Sequence, residues 1–221
     1  MILCLVTDRR RLGAAIGSPP AGWIDALHEQ VASAGRAGVD FIQVREPDLE
    51  ARQLTLVVKS LMKTLEGTAA RLLVNDRVDV AIAAGASGVH LKEQSMLPAD
   101  VRRIAPNLLI GCSVHGTAGL ASRKEADLLI AGTVMATASK PTVDYLDLDG
   151  LGAIVKAAAG LPVLGIGGLD VRSAAAVAAT GAAGLAAIGA FIPPAGVGIS
   201  EFVQKRVSAL RLAFDSRTPG T

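Results

Sequence analysis

Aromatic side chains are scarce in this chain: 221 residues hold one Trp, one Tyr and four Phe. A surface that stacks bases needs exposed rings, so the shortage argues against a nucleic-acid platform. Cysteine is scarcer still, with only Cys4 and Cys112, and no CxxC or Cys/His spacing marks a metal centre. Both lie in apolar runs and read as buried thiols acting as small hydrophobes. No long run of like charge occurs and the net charge is +2, so there is no electrostatic footprint for DNA or a membrane surface. The expected partner is a small molecule. A membrane-spanning run is missing too. In "MILCLVTDRRRLG" a short apolar stretch precedes the basic cluster, the wrong order for a secretory signal. The expectation is a soluble, cytoplasmic protein.

Against these absences stands an apolar half made mostly of Ala, Val, Leu, Ile and Gly. Short apolar runs recur at 2–7 (ILCLVT), 41–44 (FIQV), 71–75 (RLLVN), 88–91 (GVHL), 108–113 (LLIGCS), 127–132 (DLLIAG), 162–168 (PVLGIGG) and 184–190 (GLAAIGA). Most are continuous and not alternating, the pattern of parallel strands buried on both faces. Between them lie helical stretches. In one, Ile24, Leu27, Val31 and Ala34 share a face; in another, Leu54, Val57, Val58 and Leu61 do, and each closes near a glycine. Phe202, Val207, Leu210 and Leu212 suggest a last helix packed on the barrel. No GxGxxG opens a helix after the first strand, which disfavours an open dinucleotide-binding sheet. Eight strand–helix units predict an α/β fold, a single-domain (β/α)8 TIM barrel over residues 1–215, with 216–221 as a frayed tail.

Barrels of this kind place chemistry at the C-terminal strand ends. There the chain offers Gln43, Arg45 and Glu46; Asn75 and Asp76; Lys92 and Glu93; Ser113 and His115; and Thr137, Ser139 and Lys140. The seventh and eighth runs end in Gly167–Gly168 and Ile188–Gly189. Without a Cβ, glycine lets backbone N–H groups approach an anion, and the loops after strands seven and eight often hold phosphate. "GIGG" alone also suits a tight turn, but "AAIGAF" one strand later strengthens the phosphate reading. "TASK" sets two hydroxyls and an ammonium around a second anion, or forms a solvated turn. Arg45 can grip a phosphate, or pair with Glu46 or another acid at the rim. Cys112 and His115 stand three apart and so on opposite sides of an extended strand, while Ser113 and His115 share a face. His115 is a candidate proton carrier or a hydrogen-bonded structural histidine; His90, in mid-strand, reads as structural.

"FIQVRE", "LLVNDRVDVAIAAGASGVHL", "IGCSVHG", "GTVMATASK", "PVLGIGG" and "GAAGLAAIGAF" resemble, in order and spacing, the motifs of the thiamine phosphate synthase and TenI family. The resemblance implies a TIM barrel that couples a hydroxymethylpyrimidine diphosphate to a thiazole phosphate, with magnesium assisting the departure of pyrophosphate. It implies that Gln43, Arg45, Asn75, Ser113 and Lys140 hold the pyrimidine diphosphate and that Asp76 binds magnesium. Thr137 and Ser139, with backbone donors from Gly168, Ile188 and Gly189, would hold the thiazole phosphate. Two positions depart from the synthase pattern. "REP" stands for "REK", so Pro47 replaces a lysine, and "HLKEQS" stands for "HLGQxD", so Ser95 replaces the second magnesium carboxylate. Glu93 or Lys92 is placed to compensate. The TenI branch implies another reaction, a metal-free isomerisation of a thiazole carboxylate phosphate involving a histidine in an "SVH" segment, here His115. A third reading is a non-catalytic binder of thiazole or thiamine phosphate. Such barrels often form homodimers.

Overall fold

The structure is a computed structural model that describes residues 1–136 and 145–216. Eight strands form one closed parallel sheet in sequence order: β1 (Ile2–Val6), β2 (Phe41–Val44), β3 (Arg71–Asn75), β4 (Gly88–Leu91), β5 (Leu109–Val114), β6 (Leu128–Gly132), β7 (Val163–Ile166) and β8 (Gly184–Ala187). The helices are α1 (Arg9–Ala15), α2 (Trp23–Arg36), α3 (Ala51–Thr64), α4 (Val78–Ala84), α5 (Pro98–Ile104), α6 (Asp147–Ala157), α7 (Ala174–Ala179) and α8 (Ile199–Asp215). This is the expected (β/α)8 barrel. Among the described residues, no helix is long and apolar enough to cross a membrane.

The helices depart from strict alternation. β1 is followed by both α1 and α2, and only a short 3-10 turn, Leu120–Arg123, joins β5 to β6. The β5–β6 connection is polar, with Gly116 and Gly119 near its start and few large apolar residues to form a helical face. Arg123 is buried in that place. The face of α8 also differs from the expectation. Val203, Val207, Leu210 and Phe214 are buried at helical spacing, whereas Leu212 is 75% exposed. Leu212 lies two residues past Leu210, about 200° around the helix, and so faces away from the barrel. Phe202 sits under Arg206, whose guanidinium carbon is 4.8 Å from the ring centre. Of the expected tail, 217–221 lie outside the described residues.

Two apolar layers follow from strand alternation. The outer one, between strands and helices, contains Leu3, Leu5, Ile42, Val74, Val89 and Cys112 among many others. The inner one fills the barrel with Cys4, Val6, Phe41, Leu73, Leu128, Ile130, Leu164 and Ala186. Cys4 and Cys112 are thus packing residues. Burial pushes their thiols up, to about 12 and about 11. Cys112 faces the helices, and no Cys–His couple forms with His115.

The barrel closes where β1 pairs with β8, with Ile2 opposite Gly184 and Cys4 opposite Ala186. A Cβ on Gly184 would lie 1.7 Å from the Ile2 carbonyl oxygen, a contact that only backbone movement can relieve. Gly184→Ala is therefore expected to destabilise the fold by about 3 kcal/mol, read as a lower urea midpoint. A midpoint within experimental scatter of the parent would show that the seam is looser than this.

Candidate active site

The inward-facing side chains above the apolar plug become polar on one half of the rim. Gln43 Nε2 donates to Asn75 Oδ1 at 2.8 Å between β2 and β3. On the next two strands His90 Nε2 meets Ser113 Oγ at 2.8 Å. Asn75 is the register partner of His90, so the four residues form one row across β2 to β5. Three of them, Gln43, Asn75 and Ser113, were expected from the sequence. His90 is the addition.

His90 is 3% exposed, and its Nδ1 has no hydrogen-bond partner among the described residues. Burial lowers its pKa to about 4, against a smaller raising effect from the Asp76 charge, so the ring is neutral at neutral pH. The absence of a Cβ on Gly111 makes room for it: a Cβ there would lie 2.8 Å from His90 Nδ1. A buried N–H without an acceptor is rarer than an acceptor without a donor. The proton therefore belongs on Nε2, which donates to Ser113 Oγ. Ser113 keeps its own proton to give to a ligand.

Arg45 is presented by a lock at the ends of β1 and β2. Thr7 Oγ1 donates to Glu46 Oε1 at 2.6 Å and accepts from the Arg45 backbone N–H at 3.0 Å. Glu46 turns inward, 4% exposed, and pairs with Arg9 at 2.8 Å, while Arg9 also grips Asp48 at 2.6 Å. Burial raises the Glu46 carboxyl above its ordinary value, although Thr7 and Arg9 pull it back. The alternative pairing of Arg45 with Glu46 is thus not formed. The Arg45 side chain is exposed, with no carboxylate partner among the described residues.

At the ends of β3 and β4 the arrangement is unlike a metal site. Asp76 has φ 58°, a left-handed conformation that Asp tolerates better than most residues, and its N–H donates to the His90 carbonyl at 2.8 Å. Its Oδ2 meets Lys92 Nζ at 2.6 Å, and its Oδ1 accepts from the Ser95 hydroxyl. Burial alone would raise the Asp76 carboxyl, but Lys92 and Ser95 together hold it below its ordinary value. Glu93 turns elsewhere, with Oε2 at 2.8 Å from His115 Nδ1. Arg123 donates to the Glu93 carbonyl and pins this loop from below. Among the described residues, no group of three or more His, Cys, Asp or Glu stands together to hold a metal ion. Both Asp76 oxygens are engaged by donors, so these residues do not fit a dedicated magnesium site.

The other half of the rim is built from backbone. Gly168 has φ 67°, and a Cβ there would lie 2.6 Å from the Ala136 carbonyl oxygen. Met135 N–H donates to the Gly167 carbonyl at 3.0 Å, tying this turn to the chain leaving β6. Ile188 leads into a 3-10 turn, Gly189–Phe191, closed by Phe191 N–H to Ile188 O and Ile192 N–H to Gly189 O. Those bonds leave the Gly189 and Ala190 N–H groups outside the turn's own ladder. Arg11 reaches over them, its guanidinium 3.2 Å from where a Gly189 Cβ would be. It has no ion-pair partner among the described residues, and only membership of a basic triplet marks it before folding. Thr137, Ser139 and Lys140 lie outside the described residues.

The neutral His90 has a measurable consequence. An unfolded histidine titrates near 6.5, whereas folded His90 does so near 4. As pH falls from 6.5 toward 4, the unfolded state takes up a proton that the folded state refuses. Stability is lost across that window, by about 3 kcal/mol, and is unaffected above it. His90→Gln is expected to shrink the drop in urea midpoint between about pH 7 and about pH 4.5. An unchanged drop would assign the acid sensitivity to another group.

Comparisons with known proteins give the chain a family. The family model described as thiamine monophosphate synthase matches residues 14–191. A putative thiamine-phosphate synthase of Geobacter sulfurreducens is 40% identical over 195 residues, 86% of each chain. A thiamine-phosphate synthase of Roseiflexus castenholzii is 39% identical over 196 residues, 86% of this chain and 81% of that one. Among solved structures, the thiamine phosphate pyrophosphorylase from Pyrococcus furiosus superposes with a TM-score of 0.78 at 32% identity, covering 97% of this chain and 95% of that one. A 3-hexulose-6-phosphate synthase, at 19% identity and TM-score 0.65, shares the fold. The match over residues 14–191 and the 40% identical relative lead to one conclusion: the chain belongs to the thiamine monophosphate synthase family.

Proposed function

We propose that this protein is a thiamine phosphate synthase, joining a hydroxymethylpyrimidine diphosphate to a thiazole phosphate and releasing pyrophosphate. The observation that carries the reading is the division of the rim. A row of amide, imidazole and hydroxyl groups, Gln43–Asn75 and His90–Ser113, occupies β2 to β5. Glycine turns follow β7 and β8, across the closed barrel from β3 and β4. The polar row suits a heterocycle with donors and acceptors on its edge; the glycine turns suit a phosphate.

In this reading the methylene C–O bond of the pyrimidine breaks and its electron pair leaves with pyrophosphate. The thiazole nitrogen then forms the new C–N bond, and no protein nucleophile is needed. Arg45 and the Ser113 hydroxyl stabilise charge growing on the leaving oxygens, and preorganised donors of this kind act most strongly where charge develops. We assign Gly168, Ile188, Gly189 and Arg11 to the thiazole phosphate. We place the enzyme in the cytoplasm, a reading supported by its two free, buried thiols, and expect it to assemble as a homodimer like many such barrels.

A second reading rests on one contact. Glu93 orients His115 through Nδ1, leaving Nε2 free to move a proton, as a thiazole tautomerase requires. Two incubations separate the readings: purified protein in a complete mixture of thiazole phosphate and the pyrimidine diphosphate, and purified protein with thiazole carboxylate phosphate alone. Thiamine phosphate is expected in the complete mixture. Isomerisation alone, abolished by His115→Ala, would replace the synthase with the tautomerase, and tight binding without turnover would leave a binding protein. For the synthase, Ser113→Ala is expected to lower kcat/KM by about a hundredfold, the scale for loss of one donor to developing charge. An unaltered value in steady-state assays would remove Ser113 from the reaction.

A further inference from the structure

We propose that Lys92 is the resident cation of the diphosphate subsite, standing where the synthase pattern puts a divalent metal ion, so that this chain binds diphosphate without one. The inference rests on the synthase reading for its substrate. Its geometry is independent of that reading. Lys92 Nζ lies 2.6 Å from Asp76 Oδ2, the Ser95 hydroxyl donates to Oδ1, and Glu93 is held by His115. Asp76, the expected metal ligand, therefore acts as a support for an ammonium group.

The charges are consistent with substitution of a metal. Relative to "HLGQxD", Lys92 adds one positive charge where the pattern has glycine, and Ser95 removes one negative charge. Glu93 adds one negative charge where the pattern has glutamine, but it is turned to His115, so at Asp76 itself the first two changes match the charge of a divalent ion. Pro47 has meanwhile lost the lysine of "REK", so a cation absent from the end of β2 is present at the end of β4. An ammonium has three donors, and Asp76 uses one, leaving two for an incoming oxygen anion. The Lys92 side chain is 60% exposed. An ion pair so exposed contributes little to folding, so stability does not explain a lysine held there. Its loop is fixed from below by Arg123 on the Glu93 carbonyl.

During the reaction Lys92 stays charged. It meets the negative charge that arrives on pyrophosphate when the C–O bond breaks, and it transfers no electron pair. The test uses inorganic pyrophosphate, with binding measured by calorimetry in EDTA. The unaltered protein is expected to bind it, and Lys92→Gln to weaken binding by about tenfold or more, the scale of one charge-assisted hydrogen bond. Manganese titrated under electron paramagnetic resonance is expected to find no tight site in the parent and one in the Lys92→Gly, Ser95→Asp double variant. A tight manganese site in the parent, or pyrophosphate affinity unchanged by Lys92→Gln, would overturn the proposal. Lys92 is at the surface, so a folding defect does not confuse the result. Absence of thiamine phosphate from every incubation would sink the synthase reading alone, because the binding measurements do not depend on turnover.

Discussion

Backbone contact between β1 and β8 is the constraint on which the molecule depends, because a parallel sheet of eight strands has no free edge only if its last strand returns to its first. Gly184 permits that contact. Once closed, the sheet brings the C-terminal ends of all eight strands to one rim, and residues far apart in sequence become neighbours there. The pairs that define the site, Gln43 with Asn75 and His90 with Ser113, are 32 and 23 positions apart. They meet because their strands are adjacent and each pair lies on a diagonal, two positions past the register partners Gln43–Leu73 and His90–Gly111.

The rim is asymmetric for a physical reason. Polar side chains inside a barrel must satisfy one another, since a buried polar group without a partner is costly. Gln43–Asn75 and His90–Ser113 meet most of that requirement pairwise, leaving His90 Nδ1 without a partner among the described residues. His90 remains neutral, so no charge is buried with them. On the far side the chain avoids the cost differently. Ile166 and Ile188 pack against the inner core, and the polar functions come from backbone N–H groups at glycine turns. One half can read a heterocycle and the other can hold an anion.

Much of this was legible in the sequence because burial on both faces writes strands as continuous apolar runs. β2, β3 and β4 coincide with the runs at 41–44, 71–75 and 88–91. The remaining strands differ from their runs mainly at the ends, where apolar residues continue into the glycine turns after β7 and β8. Side-chain pairing was less legible. Arg9, Arg10 and Arg11 form a uniform basic triplet, yet Arg9 is buried on Glu46 and Asp48, Arg10 stays exposed and Arg11 reaches Gly189. The partners come from other strands, and nothing local distinguishes the three. Leu212 was misplaced because apolar character alone does not fix a helical face. His90 reads as structural from its mid-strand position, but its bond to Ser113 depends on how β4 and β5 are paired. That bond makes a structural histidine part of the site.

Glu46 and Asp76 show how the same residue type takes different roles on this rim. Glu46 is buried, and its carboxylate has Thr7 and Arg9 as partners, so it is committed to holding the backbone that presents Arg45. Asp76 is more open, and its partners are an exposed ammonium and a hydroxyl that a ligand can reach. The first carboxylate fixes a cation inward and leaves a second one, Arg45, unpaired. The second holds a cation outward with donors to spare. Both therefore leave positive charge facing the mouth, at the ends of β2 and β4, on either side of Asn75. A dianionic or trianionic group entering over Asn75 would meet cations from two strands and a hydroxyl from a third. An acid at position 95 would add a negative charge beside Asp76 and compete for the ammonium. Serine at 95 and lysine at 92 are thus mutually consistent: the lysine supplies the charge, and the serine satisfies the other carboxylate oxygen without opposing it.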